Sequence, residues 1–155
     1  MLIRDMRLVA TLQEPKVLSA PEVERLCRRL AEACRDLPVV LLYLHGSHAH
    51  GTQTRLSDLD LAVLLDRAAL PGHDVLFRLE EICERDDVDF VVLNRAGPII
   101  KDRVVRHGRL VHARSERDRV VFEAHALKEA MDYRPFSRAY DDAMFRQIRE
   151  GRFLD

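Results

Sequence analysis

Asp58 and Asp60 stand two residues apart in Ser57-Asp58-Leu59-Asp60-Leu61, at the mouth of an apolar run. In an extended chain residues i and i+2 point to the same side, so both carboxylates face one space. Carboxylates held that close repel unless a cation sits between them. Magnesium answers this economically, because it takes oxygen ligands and is usually shared between carboxylates and substrate phosphates. Asp89, in Asp87-Val88-Asp89-Phe90, heads another apolar run and joins the pair if the two strands are neighbours. Three converging carboxylates allow two metal ions on the order of 3.5–4 Å apart. One ion then lowers the pKa of an acceptor hydroxyl, the other holds a triphosphate and its leaving group, and Asp89 helps remove the acceptor's proton. Asp87 shares the strand parity of Asp89, so periodicity alone leaves both as candidates for the third place.

The phosphate side of such a site is offered by Leu44-His45-Gly46-Ser47-His48-Ala49-His50-Gly51. A glycine at a strand end lets backbone amides approach phosphate closely, and the Ser47 hydroxyl adds a donor. Gly51 permits a second tight turn in the same loop. The spacing of His45, His48 and His50 matches no common zinc template, and no cysteine lies nearby. His45 is expected to pack at the strand end, with His48 and His50 lining the loop.

The elements that must position these groups follow from patterning. Ser19-Ala20-Pro21-Glu22 has capping-box spacing, and Val23, Leu26, Cys27, Leu30, Ala33 and Cys34 continue with a helical period until Asp36-Leu37-Pro38 stops it. Val39–Leu44, Leu59–Leu65 and Val88–Leu93 read as strands, with Leu110–His112 as a small edge strand. Helices are expected over Pro71–Arg85 and Gly97–His107, the latter closed by Gly108. Ser115 caps a long helical stretch that Pro135 should kink or split and Gly151 should end. The first thirteen residues fit either a strand or a loose arm. The sum is an α/β (α+β) fold: a small mixed sheet, flanking helices and a helical C-terminal tail. Residues 1–155 read as one domain, with a core of about 20–114 and a tail of about 115–151.

Bulk properties narrow the function. The 155 residues are 47% apolar and 33% charged with a formal net charge of −1, the balance of a soluble globular protein. No overall field favours nucleic acid or membrane, so a polyanion must be gripped by a local site. Arg4, Asp5 and Arg7 break any secretory apolar segment, and no run is long enough to span a bilayer. Cys27, Cys34 and Cys83 are odd in number and lack framework spacing, which suits a reducing cytoplasm and small core side chains. Lys101 to Arg119 holds seven Lys or Arg against Asp102, Glu116 and Asp118; this fits a solvated face with local ion pairs, a docking surface or contacts to nucleotide phosphates. Tyr133, Phe136, Tyr140, Phe145 and Phe153 cluster in the tail and divide between core and an exposed interface.

Ser47, ten intervening residues and then Asp58-x-Asp60 resembles the signature of the nucleotidyltransferase superfamily related to DNA polymerase β. A lone Asp-x-Asp is weak; Gly-Ser at this spacing, between apolar strands and followed by a strand with an aspartate, is specific. The closer likeness is to the minimal nucleotidyltransferase (MNT) antitoxins that pair with HEPN-domain RNase toxins. Val88-Asp89-Phe90-Val91-Val92-Leu93-Asn94-Arg95-Ala96 and the ending Arg149-Glu150-Gly151-Arg152-Phe153 support it, and the likeness runs from about Val39 to the C-terminus. The resemblance implies a nucleotidyltransferase fold and transfer of AMP from ATP to a tyrosine hydroxyl near the toxin's RNase motif. It implies two Mg2+ ions bound by Asp58, Asp60 and Asp89, and a nucleotide bound by Gly46, Ser47 and Ser57. The cysteine usage reads as a cytoplasmic protein, and the aromatic tail leaves a homo- and a hetero-oligomer both open. The chain departs at His50, where many relatives carry arginine in a Gly-Ser-x-Ala-Arg-Gly loop, so no phosphate contact is carried over to that position.

Two other functions compete: a small-molecule transferase of the aminoglycoside type, and an antitoxin acting by contact alone. After the sheet only a helical tail remains, too little for a separate acceptor domain around a small molecule. A pure binder, for its part, has no chemical need of three converging carboxylates, which cost stability through repulsion unless metal is bound.

Overall fold

Ser19 starts the first helix as its spacing requires: the Glu22 carboxylate accepts from the Ser19 N–H at 2.8 Å and from its hydroxyl at 2.7 Å. The computed structural model describes residues 18–51 and 58–149, and the side chains of all of these except His50 and residues 137–149. The expectations for the first thirteen residues, Ser57, Gly151 and Phe153 lie outside the described residues, as do those for the side chains of His50, Tyr140 and Phe145.

In chain order the elements are α1 (Ala20–Ala33), β1 (Val39–His45), α2 (Ser47–His50), β2 (Leu59–Leu65), α3 (His73–Cys83), β3 (Val88–Val92), α4 (Pro98–His107), β4 (Arg109–Ala113) and α5 (Glu116–Arg149). The four strands form one mixed sheet in the order β3-β2-β1-β4. β1 is antiparallel to β2 and β4, and β2 runs parallel to β3. The parallel pair is the consequential one, because the crossover through α3 brings the two aspartate-bearing strand heads to the same end.

Alternation along the strands sends side chains to two cores. Leu42, Leu44, Leu59, Leu61, Val63 and Leu65 meet Val23, Leu26 and Leu30 of α1 and Val75 and Leu79 of α3. Leu41, Tyr43 and Ala62 face the other way, onto Val104 of α4 with Phe122 of α5 alongside. α5 is held there by polar ties as well: the Tyr43 hydroxyl donates to Glu123 at 2.9 Å, and Asp102 of α4 accepts from Arg106 at 2.7 Å and Arg134 at 3.0 Å.

Three expectations are refined here. Cys27, Cys34 and Cys83 are buried as expected, and burial pushes the Cys34 and Cys83 thiols up to about 12, which leaves them inert as nucleophiles. The basic stretch is largely a face of ion pairs: Lys101 with Glu129, Arg106 with Asp102, Arg109 with Glu24, Arg114 with Asp66 and Asp118, and Arg119 with Glu116 and Glu123. The split expected at Pro135 does not occur, and one helix runs through it. Residues 131–136 are all exposed, so water can satisfy the Met131 carbonyl that the proline leaves without its donor.

Candidate active site

The register of the parallel pair sets Asp60 directly beside Asp89. Neighbouring strands lie about 4.8 Å apart, and register partners in a parallel pair project from the same face. Asp58 precedes Asp60 by two residues and is exposed, as is Asp89, while Asp60 is half-buried. Burial raises the Asp60 carboxyl above its ordinary value, and the charges of Asp89 and Asp58 add to the rise against the opposing effect of His45. Asp58 and Asp89 therefore lie near enough to Asp60 for their charges to act on it.

Asp87 is engaged elsewhere. Arg85 donates to it twice, from Nε at 2.7 Å and from Nη2 at 2.5 Å. The hydrogen bond from Arg85 holds the Asp87 carboxyl below its usual range. Of the two aspartates left open by periodicity, Asp89 stands beside Asp60 and Asp87 is committed to a cation. Arg85 was not anticipated, although Arg-x-Asp at the entrance of a strand is a spacing at which the two side chains can meet.

Gly46 follows the last residue of β1, whose His45 is the register partner of Asp60. Its backbone has φ 69° and ψ −153°, a region essentially reserved for glycine. A Cβ built there would lie 2.0 Å from Asp60 Oδ2 and 2.9 Å from its Cγ. The glycine is thus what lets the turn carrying Ser47 close onto the carboxylate. Gly51, with φ 68°, supplies the second turn expected of it.

His45 is partly buried as expected, with its Nε2 lacking a hydrogen-bond partner; burial lowers its pKa, so the ring favours the neutral form. His48 is only 5% exposed, a degree of burial the sequence did not indicate. A four-residue helix placed over a sheet buries one side whatever residue type stands there, and the polar character of histidine hid this.

The donors suit a hard divalent cation in chemistry: carboxylate oxygens, with Asp60 in register with Asp89 and its carboxyl raised first by burial and then by the charges of Asp89 and Asp58. Among the described residues, however, no group of three or more His, Cys, Asp or Glu is gathered as a ready-made metal cage. Magnesium does not require one, since it retains waters and completes its shell with substrate phosphates.

This arrangement of a mixed sheet, a Gly-Ser turn and strand-head aspartates defines the nucleotidyltransferase class. Residues 29–117 match the family model for polymerase β nucleotidyltransferases, and the chain belongs to that family. It is similar, at 26% identity and a TM-score of 0.62, to a chain in the crystal structure of a toxin–antitoxin with AMP-PNP, with 77% of this chain and 98% of that one covered. A second likeness, at 22% identity and a TM-score of 0.59, is to a chain of the tri-AMPylated Shewanella oneidensis HEPN toxin in complex with its MNT antitoxin, covering 79% and 98%. A third, to a chain of the toxin–antitoxin MntA–HepT, has the same identity, score and coverage. At 22% these last two speak for the fold. No curated protein gives a significant match. Among the described residues no helix is long and apolar enough to cross a membrane.

Proposed function

We propose that this chain is an antitoxin that transfers AMP from ATP onto a tyrosine hydroxyl of a cognate HEPN RNase toxin, and so silences it. The observation that carries the reading is Asp60 in register with Asp89, with Gly46 closed onto the Asp60 carboxylate. The likeness to a toxin–antitoxin chain crystallised with AMP-PNP supports the choice of nucleotide and partner class. Val120, Val121, Met131, Tyr133 and Phe136 of α5 are exposed, which suits a protein partner.

In this reading Gly46 and Ser47 bind the triphosphate, with Ser57 assisting. Asp58, Asp60 and Asp89 would hold two magnesium ions, which would neutralise the phosphates and acidify the acceptor hydroxyl. The tyrosine oxygen attacks the α-phosphorus of ATP, the bond from that phosphorus to the bridging oxygen breaks, and pyrophosphate leaves. Asp89 receives the hydroxyl proton or passes it to water.

Mass spectrometry of the partner toxin, after incubation with this protein, ATP and magnesium, tests the proposal. The expected result is a gain of one or more AMP units on a tyrosine. A tight complex with no mass gain would show an antitoxin acting by contact alone, and no complex would return the small-molecule transferase.

The same assay separates the two aspartates of β3. Asp89→Asn is expected to slow transfer by about 10²-fold or more, the scale of general-base loss, while changing ATP affinity far less. Asp87→Asn should loosen Arg85 and leave the rate within about tenfold. The opposite ranking assigns the third carboxylate to Asp87.

A further inference from the structure

β3 is the last strand on its side of the sheet, and only half of its backbone is used by β2. The Leu59 N–H donates to the Asp87 carbonyl at 2.8 Å, and the Leu93 N–H donates to the Val63 carbonyl at 2.8 Å. In a parallel ladder alternate residues bond to the neighbouring strand, so Asp87, Asp89, Val91 and Leu93 turn their peptide groups toward β2. Val88, Phe90 and Val92 turn theirs outward. The Val92 carbonyl accepts from the Arg95 N–H at 3.0 Å; among the described residues no strand pairs with the other outward groups.

Such an edge is a template for another extended chain, and proteins usually blunt it with lysine, proline or a bulge. Val88-Asp89-Phe90-Val91-Val92 contains neither lysine nor proline, and its register with β2 runs without a shift. Its one charge is Asp89. Beside the far half of the edge lies a groove of about 570 Å3, lined by Pro71, Leu76, Phe77, Val92 and Arg95 among others. Phe77 is 61% exposed there, an apolar ring in water next to peptide groups that lack partners.

Asp89 and Val92 are three residues apart, a span of about 10 Å along a strand. Their opposite parity sends them to opposite faces: Asp89 to that of Asp60, Val92 to the α1–α3 side where the groove lies. A strand added to the edge takes on the same alternation. Its residue beside Asp89 projects toward the acids, and its residue beside Val92 projects into the groove. Donors and acceptors at strand spacing match a peptide backbone, which a small alcohol does not supply.

We propose that the outer edge of β3 receives the acceptor segment of the protein partner as an added strand. The hydroxyl residue lies beside Asp89, and an apolar side chain three positions away fills the groove at Phe77. The inference rests on the protein-modifying reading of the same site.

Three variants and one exchange measurement test it. Phe77→Ser empties the groove wall, and Phe77→Leu keeps it apolar. Val92→Pro deletes an outward N–H and spares the ladder to β2, as proline on an edge strand can. The KM for the partner toxin is expected to rise about tenfold in Phe77→Ser and Val92→Pro, and less than about threefold in Phe77→Leu. The dissociation constant for MgATP should stay within about threefold of wild type in all three. In the complex of wild-type protein with the toxin, exchange of the Phe90 and Val92 amides should slow about tenfold or more; this readout stands even if Val92→Pro fails to fold. Unchanged KM in Phe77→Ser, or unprotected edge amides in a complex that transfers AMP, overturns the inference and leaves the transfer reading in place. Protected edge amides with no AMP transferred overturn the transfer reading and leave β3 as a docking edge.

Discussion

Gly46→Ala is expected to lower the melting temperature by roughly 6–12 °C, an effect of about 3 kcal/mol in a chain of this size, and to reduce AMP transfer at least ~10²-fold. Two penalties combine. A non-glycine residue in this backbone region costs about 1–3 kcal/mol, and forcing a methyl into a packed place costs about as much again. The atom in the way is Asp60 Oδ2, 2.0 Å from the new carbon, so relief requires moving the carboxylate on which the site depends. Gly51→Ala is the control: its φ is also positive, at 68°, but nothing lies within 4 Å of the added carbon. That variant should lose about 1–2 kcal/mol and keep its carboxylates in place. Thermal melts and transfer rates of the two variants check this, and equal activity losses would show that strain alone, without displacement of Asp60, damages the site.

The double replacement Asp58→Ala with Asp60→Ala is expected to remove transfer by at least ~10³-fold, the scale on which loss of a central catalytic group acts, yet to leave the fold intact or slightly more stable. The sign follows from Asp60, whose carboxyl burial and the neighbouring acids raise. For an acid raised on folding, ionisation is penalised in the native state. Its favourable contribution is complete below the unfolded value of about 3.9 and is lost as pH climbs through the raised folded value. At neutral pH the charged group therefore opposes folding, and its removal should raise the melting temperature. Below about pH 4 the gain should vanish. Melts of wild type and variant across that range measure the difference; transfer surviving in the double variant would end the assignment of these acids.

Much of this site could be read before any coordinates, because strands have a period of two. Asp58 and Asp60 had to share a side, and the apolar run behind Asp89 made it a strand head. That β3 lies beside β2, with Asp60 in register with Asp89, was conditional in the sequence, and the register of the pair settles it. The choice between Asp87 and Asp89 was not legible, since both have the same parity. The side chain of Arg85, closing on Asp87, is a difference between them that parity does not show. The burial of His48 was not legible for a different reason: residue type and sequence neighbours do not signal it, whereas burial is decided by what α2 rests upon. Pro135 shows the same limit, because the cost of a missing donor depends on whether water can reach the freed carbonyl.

The unequal cores on the two faces of the sheet also set how the molecule loosens. Among the described residues, fifteen buried side chains bind α1 and α3 to one face and six bind the opposite face beneath α4 and α5. Regions with fewer buried apolar contacts open at lower free energy than the whole. Amide exchange is therefore expected to open α4 and α5 from the sheet before β1, β2 and the α1–α3 layer. By strand alternation Asp60 shares the face of Ala62, the softer of the two. The proposed acids, which the sheet holds in register, would then sit beside the cover that opens first.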